Sequence, residues 1–168
     1  HVRLFKDMTV LENLLVAQHH HLNNSLLAGL FKTRRYRQAE KEALDKAVFW
    51  LEKVRLVADA NREAGTLAYG QQRRLEIARC MVTRPSLLML DEPAAGLNPS
   101  ETDELKQLIK DLRDNHEISV LLIEHDMKLV MDISDHIVVI NQGTPLASGT
   151  PEQVRNNPAV IKAYLGEE

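Results

Sequence analysis

The feature that most restricts what this chain can fold into is a short apolar run that ends in acid. Ser86, Leu87, Leu88, Met89 and Leu90 show no polar alternation, and Asp91 and Glu92 follow at once. A half-solvated strand alternates with period two, so this run predicts a parallel strand covered on both faces and places the chain in the α/β class. In open α/β sheets ligands gather beyond the carboxyl ends of the strands, which puts the two carboxylates where chemistry happens rather than packing. A strand-end acid can hold a metal ion through water, and its neighbour on the other side of the chain can polarise an attacking water.

Two further stretches converge on the same chemistry. Gly70 lies just before Gln71 to Arg79, where Leu75, Ala78 and Val82 recur at helical spacing. A glycine at a helix start permits close backbone approach, and the free N–H groups there attract phosphate. Ser119-Val120-Leu121-Leu122-Ile123 reads as a second strand of the buried parallel type, and it ends at Glu124-His125-Asp126. A histidine at that strand end can donate a hydrogen bond to a terminal phosphate. Each piece alone has a plain reading, a strand end meeting a solvated turn or a loop histidine bonded locally. The combination points to a site where acids, an imidazole and helix N–H groups meet a phosphate.

The remaining chain supplies helices. Thr9 with Glu12 three residues later is a capping-box pattern opening a helix through Leu14, Leu15 and Val16 that fades at Gln18. His19-His20-His21 reads as a solvated face, because adjacent residues on a helix point in different directions and no cysteine or carboxylate partner stands nearby. Asn23, Asn24, Ser25 and Gly29 mark a loose connection. Lys32, Arg34, Arg35 and Arg37 around Tyr36 read as an exposed helix start rather than an anion-binding patch. From about Arg37 to Ala58, Ala43, Ala47, Trp50, Leu51 and Val54 predict one long amphipathic helix. With no convincing strand before Thr83, residues 1–83 form an all-helical subdomain carrying the Gly70 helix. Asn98 and Pro99 cap and start a helix striped by Leu105, Leu108, Ile109 and Leu112. Met127 to Ile133 is a short helix, Ile137 to Ile140 and Leu146 to Ser148 a hairpin about Asn141-Gln142-Gly143, and Thr150-Pro151 and Pro158 open final helical segments.

With 44% hydrophobic and 27% charged residues among 168, a packed core is within reach, and disorder is excluded as a class. No apolar run approaches the roughly 20 residues of a spanning helix. A net charge of −3 gives no global attraction to nucleic acid, and none is expected as a partner. Cys80, the single cysteine, is read as a small packing residue. The opening His1-Val2-Arg3-Leu4-Phe5 carries no initiator methionine, signal or transit pattern, so the chain is read as a fragment.

Leu67-Ala68-Tyr69-Gly70-Gln71 resembles the signature of ABC-type ATPases, Leu87 to Glu92 their Walker B strand, Ala94-Ala95-Gly96-Leu97-Asn98 their D-loop and His125 their switch histidine. The four stand in the family's order and span essentially the whole chain. The resemblance implies a partial P-loop NTPase core with parallel strands beside the helical subdomain: residues 1–83 helical, 84–149 the C-terminal part of the core, and 150–168 a helical tail. It implies ATP and Mg²⁺ as ligands, Asp91 on the metal, and Glu92 as general base with His125 on the γ-phosphate. Leu67, Ala68, Tyr69, Gly70, Gln71 and Asn98 would face a nucleotide held by a second ATP-binding subunit in a head-to-tail dimer. Ala68 stands where the signature has serine, Tyr69 where it has glycine, and Asn98 where the D-loop has aspartate; a hydroxyl contact and a charge are thereby lost. No G-x-x-x-x-G-K-[ST] occurs among the 168 residues, so the phosphate-cradling loop and its lysine are expected upstream, as is the Q-loop. By itself the chain is expected to hydrolyse no ATP and to self-associate through exposed sheet.

Within the class, the signature helix, the Pro93 to Pro99 turn and the Ala163-Tyr164-Leu165-Gly166 ending resemble the ATP-binding subunits of high-affinity branched-chain amino-acid importers. That implies transmembrane permease subunits as partners, docking near His1 to Thr9. A periplasmic binding protein would be an indirect partner, and the location would be peripheral at the cytoplasmic face of the inner membrane. Rival readings are the ATPase of a lipopolysaccharide-type exporter, a DNA-clamping ABC ATPase and a non-enzymatic interaction module. The clamps carry coiled coils or zinc modules at the helical insert, which here is short and has no cysteine pair.

Overall fold

A computed structural model describes residues 4–18 and 34–165. The histidine triplet, the Asn23 to Gly29 connection and Lys32 lie outside the described residues. The chain divides into two compact units, residues 1–89 with 95–121 and residues 90–94 with 122–168.

The first unit is built on helix packing. Helix α1 (Val10–Ala17) starts with the predicted box: Thr9 Oγ1 accepts from the Glu12 N–H, and Glu12 accepts from the Thr9 N–H at 2.8 Å. Its buried Asn13 is fully bonded, accepting from the Phe5 N–H and donating to the Phe5 and Thr9 carbonyls, as an interior amide must. Gln18 closes α1 and donates to the Ala43 carbonyl of α2 (Arg34–Lys53). Helix α2 buries Ala43, Ala47, Trp50 and Leu51, the stripe read from the sequence. It stops at Lys53 rather than near Ala58, because Arg55 turns left-handed (φ 57°). Arg55 and Leu56 then return their N–H groups to the Glu52 and Leu51 carbonyls, a Schellman close made without glycine. Two short 3-10 turns, Val57–Asp59 and Ala64–Thr66, lead to α3 (Tyr69–Met81). Gly70 is therefore inside the first turn of α3 and not ahead of it. Cys80, expected to pack, is exposed on that helix, and partial desolvation raises its thiol pKa, so it stays protonated.

Strand β1 (Leu87–Asp91) and strand β2 (Ser119–Ile123) pair in a two-stranded sheet, joined through helix α4 (Pro99–His116). The Ser119 N–H meets the Ser86 carbonyl and the Glu92 N–H meets the Ile123 carbonyl, so start pairs with start and end with end: the strands are parallel. Helix α4 carries the predicted cap, Asn98 with Pro99 behind it, and buries Leu105, Leu108, Ile109 and Leu112.

The expectation that both strands are covered on both faces is not met. Burial alternates along each: Leu87 and Met89 are exposed on β1 and Leu121 and Ile123 on β2, while Leu88 is buried. A sheet has two faces, and among the described residues only one of them is packed. Period two therefore governs burial even though the sequence shows no polar alternation.

In the second unit, helix α5 (Met127–Ile133) is capped by Asp126, which accepts from the Lys128 and Leu129 N–H groups. Strands β3 (Ile137–Asn141) and β4 (Thr144–Gly149) form the predicted antiparallel hairpin. Its two turn residues, Gln142 (φ 50°) and Gly143 (φ 79°), are both left-handed, the type I′ geometry that matches strand twist. Helices α6 (Pro151–Arg155) and α7 (Pro158–Val160), the latter running into a π turn over Ile161–Leu165, close the unit. Its core is Ile137, Val139, Val154 and Val160, with Met127, Val130 and Met131 packed against it.

Candidate functional site

The acidic strand tip and the histidine meet in the second unit. Asp91 is the last residue of β1 and is exposed. Glu92 follows with φ 44°, a left-handed conformation that costs a residue bearing a Cβ about 1–2 kcal/mol. The chain holds it there: the Glu92 N–H donates to the Ile123 carbonyl at 2.8 Å, and Pro93 behind it is buried. Strain retained at a strand tip that carries a carboxylate marks a site where geometry is kept at the expense of stability. From β2, His125 brings Nδ1 to 3.7 Å from Glu92 Oε1, and both side chains remain open to solvent, 73% and 55% exposed. The pair is thus assembled and accessible at once.

Glu124, which the sequence placed in a polar strand ending without a role, is the tip's buried member at 1% side-chain exposure. Its Oε1 accepts from the Ala94 N–H at 2.8 Å and its Oε2 from the His125 N–H at 3.2 Å. The signal was present in the alternation: Val120, Leu122 and Glu124 fall on one side of β2 and Leu121, Ile123 and His125 on the other.

The signature-like residues lie in the first unit and are arranged differently. Leu67 is buried, Ala68 is the N-cap of α3, and Tyr69, Gly70 and Gln71 form its first turn. Alanine offers no oxygen to the orphan N–H groups, so only half a capping box exists, Gln71 Oε1 accepting from the Ala68 N–H at 3.1 Å. Gln71 Nε2 donates to Asp59, and the Tyr69 hydroxyl accepts from Arg73 Nε at 3.1 Å with the guanidinium over the ring. Beyond the Ala68 N–H, the N-cap residue offers no side-chain oxygen to the first-turn N–H groups of α3, which suits an anion. Asn98 caps α4, accepting from the Glu101 N–H at 3.0 Å, while Glu101 accepts from the Asn98 N–H. Glu101 also fills the space over Gly70: a Cβ there would lie 2.5 Å from its Oε1. The Asn98-x-x-Glu101 spacing announced that box, but not its packing on Gly70. One turn along, Arg74 pairs with Glu104, so α3 and α4 are joined at two successive turns.

A strained, accessible carboxylate beside a histidine at parallel strand tips, in a chain that also carries Gly70 in the first turn of a helix, is the arrangement that the resemblance to ABC ATPases leads one to expect. The chain belongs to the ABC transporter family: the profile described as "ABC transporter" matches residues 1–95, and the one described as "Branched-chain amino acid ATP-binding cassette transporter" matches residues 144–168. It is 74% identical over 166 residues to the high-affinity branched-chain amino acid transport ATP-binding protein BraF of Pseudomonas aeruginosa, covering 99% of this chain and 65% of that protein. To LivG of Escherichia coli K12, of the same description, it is 68% identical over 167 residues, covering 99% of this chain and 66% of LivG. The chain therefore spans about two thirds of the length of the curated relatives it matches. Among solved structures it is similar to the ADP conformation of MJ1267, an ATP-binding cassette of an ABC transporter, with a TM-score of 0.76 and 34% identity over 96% of this chain and 64% of that one. The fold is the mixed α/β architecture of ABC ATPase cassettes. No helix among the described residues is long and apolar enough to cross a membrane.

Proposed function

We propose that the full-length subunit binds and hydrolyses ATP to power an ABC importer of branched-chain amino acids. It would act from the cytoplasmic face of the inner membrane, against transmembrane permease subunits fed by a periplasmic binding protein. The hydrolytic half of the reading is carried by one observation, the Glu92 carboxylate 3.7 Å from His125 at paired strand tips. The transport half rests on the names of the relatives and on the profile over residues 144–168.

In this reading Glu92 is the general base. Its carboxylate takes a proton from a water whose oxygen bonds to the γ-phosphorus as the bond to the leaving ADP oxygen breaks. The bond from the Glu92 N–H to the Ile123 carbonyl fixes the backbone from which that carboxylate projects. His125 donates to a γ-phosphate oxygen, and its exposure leaves the imidazole free to do so. Among the described residues no group of three His, Cys, Asp or Glu forms a metal cage. Mg²⁺ asks for none, being held by one or two carboxylates together with phosphates and water, and Asp91 fits that donor set. When bound, the ion neutralises phosphate charge. The N–H groups of Tyr69 and Gly70 would close on the nucleotide of a second subunit in a head-to-tail dimer, with Gln71 holding the helix start through the Ala68 N–H and Asn98 the adjoining turn.

The test is Mg²⁺-dependent ATP turnover by the full-length subunit and by Glu92→Gln. A loss of about 10²- to 10⁴-fold is expected on substitution. Turnover unchanged in that variant removes the assigned base. The 168-residue chain alone, having no phosphate-cradling loop, is expected to hydrolyse no ATP and to self-associate through Leu87, Met89, Leu121 and Ile123. Light scattering that finds only monomer counts against the second expectation. Co-purification of the full-length subunit with an importer's permease, rather than with an exporter's membrane subunits or with DNA, checks the partner.

A further inference from the structure

We propose that Glu124 is a positioning residue that sets the distance between the hydrolytic carboxylate and the histidine by holding the backbone on both sides of the tip. The inference rests on the ATPase reading for its consequence, and on geometry alone for its existence.

Three features separate Glu124 from an ordinary buried acid. It is almost wholly inaccessible, at 1%, between two side chains that are mostly open. A buried carboxylate must find donors for its oxygens, and cations are the usual choice. Here each oxygen takes a backbone N–H instead, from two segments distant in sequence: Ala94, just past Glu92-Pro93, and His125 itself. Hydrogen bonds to an ionised acceptor are roughly twice as strong as neutral ones. The carboxylate therefore acts as a bracket whose two arms end on the main chain carrying the two working side chains. Nδ1 of His125 also lies 4.0 Å from Oε2, on the same side as Glu92 at 3.7 Å, so the bracket borders the imidazole as well as the backbone.

The strained Glu92 explains why a bracket is needed. At φ 44° its backbone would relax if the segment after it were free, and relaxation would swing the carboxylate away from His125. The Ile123 carbonyl secures the N–H of Glu92 before the strained residue, and Glu124 secures Ala94 after it. The side chain with no direct part in the reaction is thus what keeps the two that have one in register.

The experiment compares Glu124→Gln and Glu124→Ala with the parent full-length subunit. Glutamine is isosteric but has one acceptor oxygen, and its NH₂ group faces an N–H it cannot accept from, so one arm is lost without a change of volume. Expected are a kcat lower by about tenfold for E124Q and about 100-fold for E124A, the scale of a small misplacement, with KM for ATP held within about twofold. The double variant E124A/H125A should lose less than the product of the two single losses, since one of the bracket's two arms acts through the histidine. A wild-type kcat in E124A, a KM effect with kcat intact, or full additivity in the double variant overturns the proposal. Amide resonances of Ala94 and His125 in the isotope-labelled full-length subunit give a readout apart from turnover. Both should move upfield in E124A and one in E124Q, and unmoved resonances overturn the bracket. Should E124A not fold, as its melting curve would show, E124Q carries both comparisons. A parent subunit that turns over no ATP refutes the ATPase reading, and the amide resonances still decide on Glu124.

Discussion

The strand tip and the signature edge are both rims of polar residues, yet they commit their side chains in opposite ways. At the tip, the side chains of Glu92 and His125 stand in solvent while the backbone beneath is pinned by Ile123 and Glu124. At the start of α3 the side chains are spent locally: Gln71 on the Ala68 N–H and Asp59, Tyr69 on Arg73, Asn98 on Glu101. What remains there for a ligand is backbone. One region therefore offers functional groups on a fixed frame, and the other offers a fixed frame with its helix N–H groups bare. Side-chain substitutions should consequently cost activity at the tip and stability at the signature edge.

The sharpest way to break that contrast is at Glu92. Glu92→Gln should remove about 10²- to 10⁴-fold of ATP turnover in the full-length subunit, with the melting midpoint nearly unchanged. Glu92→Gly goes further, because glycine accepts the left-handed backbone without penalty. It should stabilise the fold by about 1 kcal/mol in denaturant titration while abolishing turnover. A stability loss in both variants would show that the exposed carboxylate is structural and would erase the difference between the two regions.

Gly70→Ala tests the other side. The new Cβ would meet Glu101 Oε1 at 2.5 Å and Cδ at 2.7 Å, and Glu101 cannot swing away without releasing the Asn98 N–H. A cost of about 1–3 kcal/mol is expected, the scale of overpacking, read as a lower urea midpoint at constant m. Next in size is Asn98→Ala, which removes the acceptor for the Glu101 N–H and should cost about 1 kcal/mol. Either variant leaving stability untouched while turnover collapses would mean that the signature edge also works through its side chains.

How much of this was legible beforehand divides along similar lines. Local chemistry was: the Thr9 and Asn98 caps, the Gln142-Gly143 turn, the stripes of α2 and α4 and both parallel strands all follow from nearest-neighbour rules that a sequence displays. Helix ends that depend on an unexpected backbone were not. Nothing about Arg55 announces a left-handed residue, since the Schellman bonds that pay for it come from Glu52 and Leu51. The strands were read as covered on both faces because their residues are apolar, but apolarity records what a face can bury and not what covers it. At the site, proximity of Glu92 to His125 was inferred from parallel strand order. The role of Glu124 was missed because a bracket is a relation between Ala94 and His125, invisible to any reading that takes one segment at a time.

The smallest expected effect lies at Asn98→Asp, which restores the charge that ABC D-loops carry. Aspartate caps as well as asparagine, and a negative charge at the first turn of α4 gains from the helix dipole by about 0.3–1 kcal/mol. Glu101, however, already places a carboxylate on the Asn98 N–H, so the new charge is met by repulsion at the same helix end. The two terms oppose each other and are of like size, which leaves a net change within about 0.5 kcal/mol, the ordinary range for a surface site. The size of the shift should then depend on salt: screening weakens repulsion and dipole attraction alike, so the urea midpoints of parent and variant should converge as ionic strength rises. A midpoint shift that persists at high salt would require a short-range partner for the carboxylate on this edge, and the signature region would then present a working side chain after all.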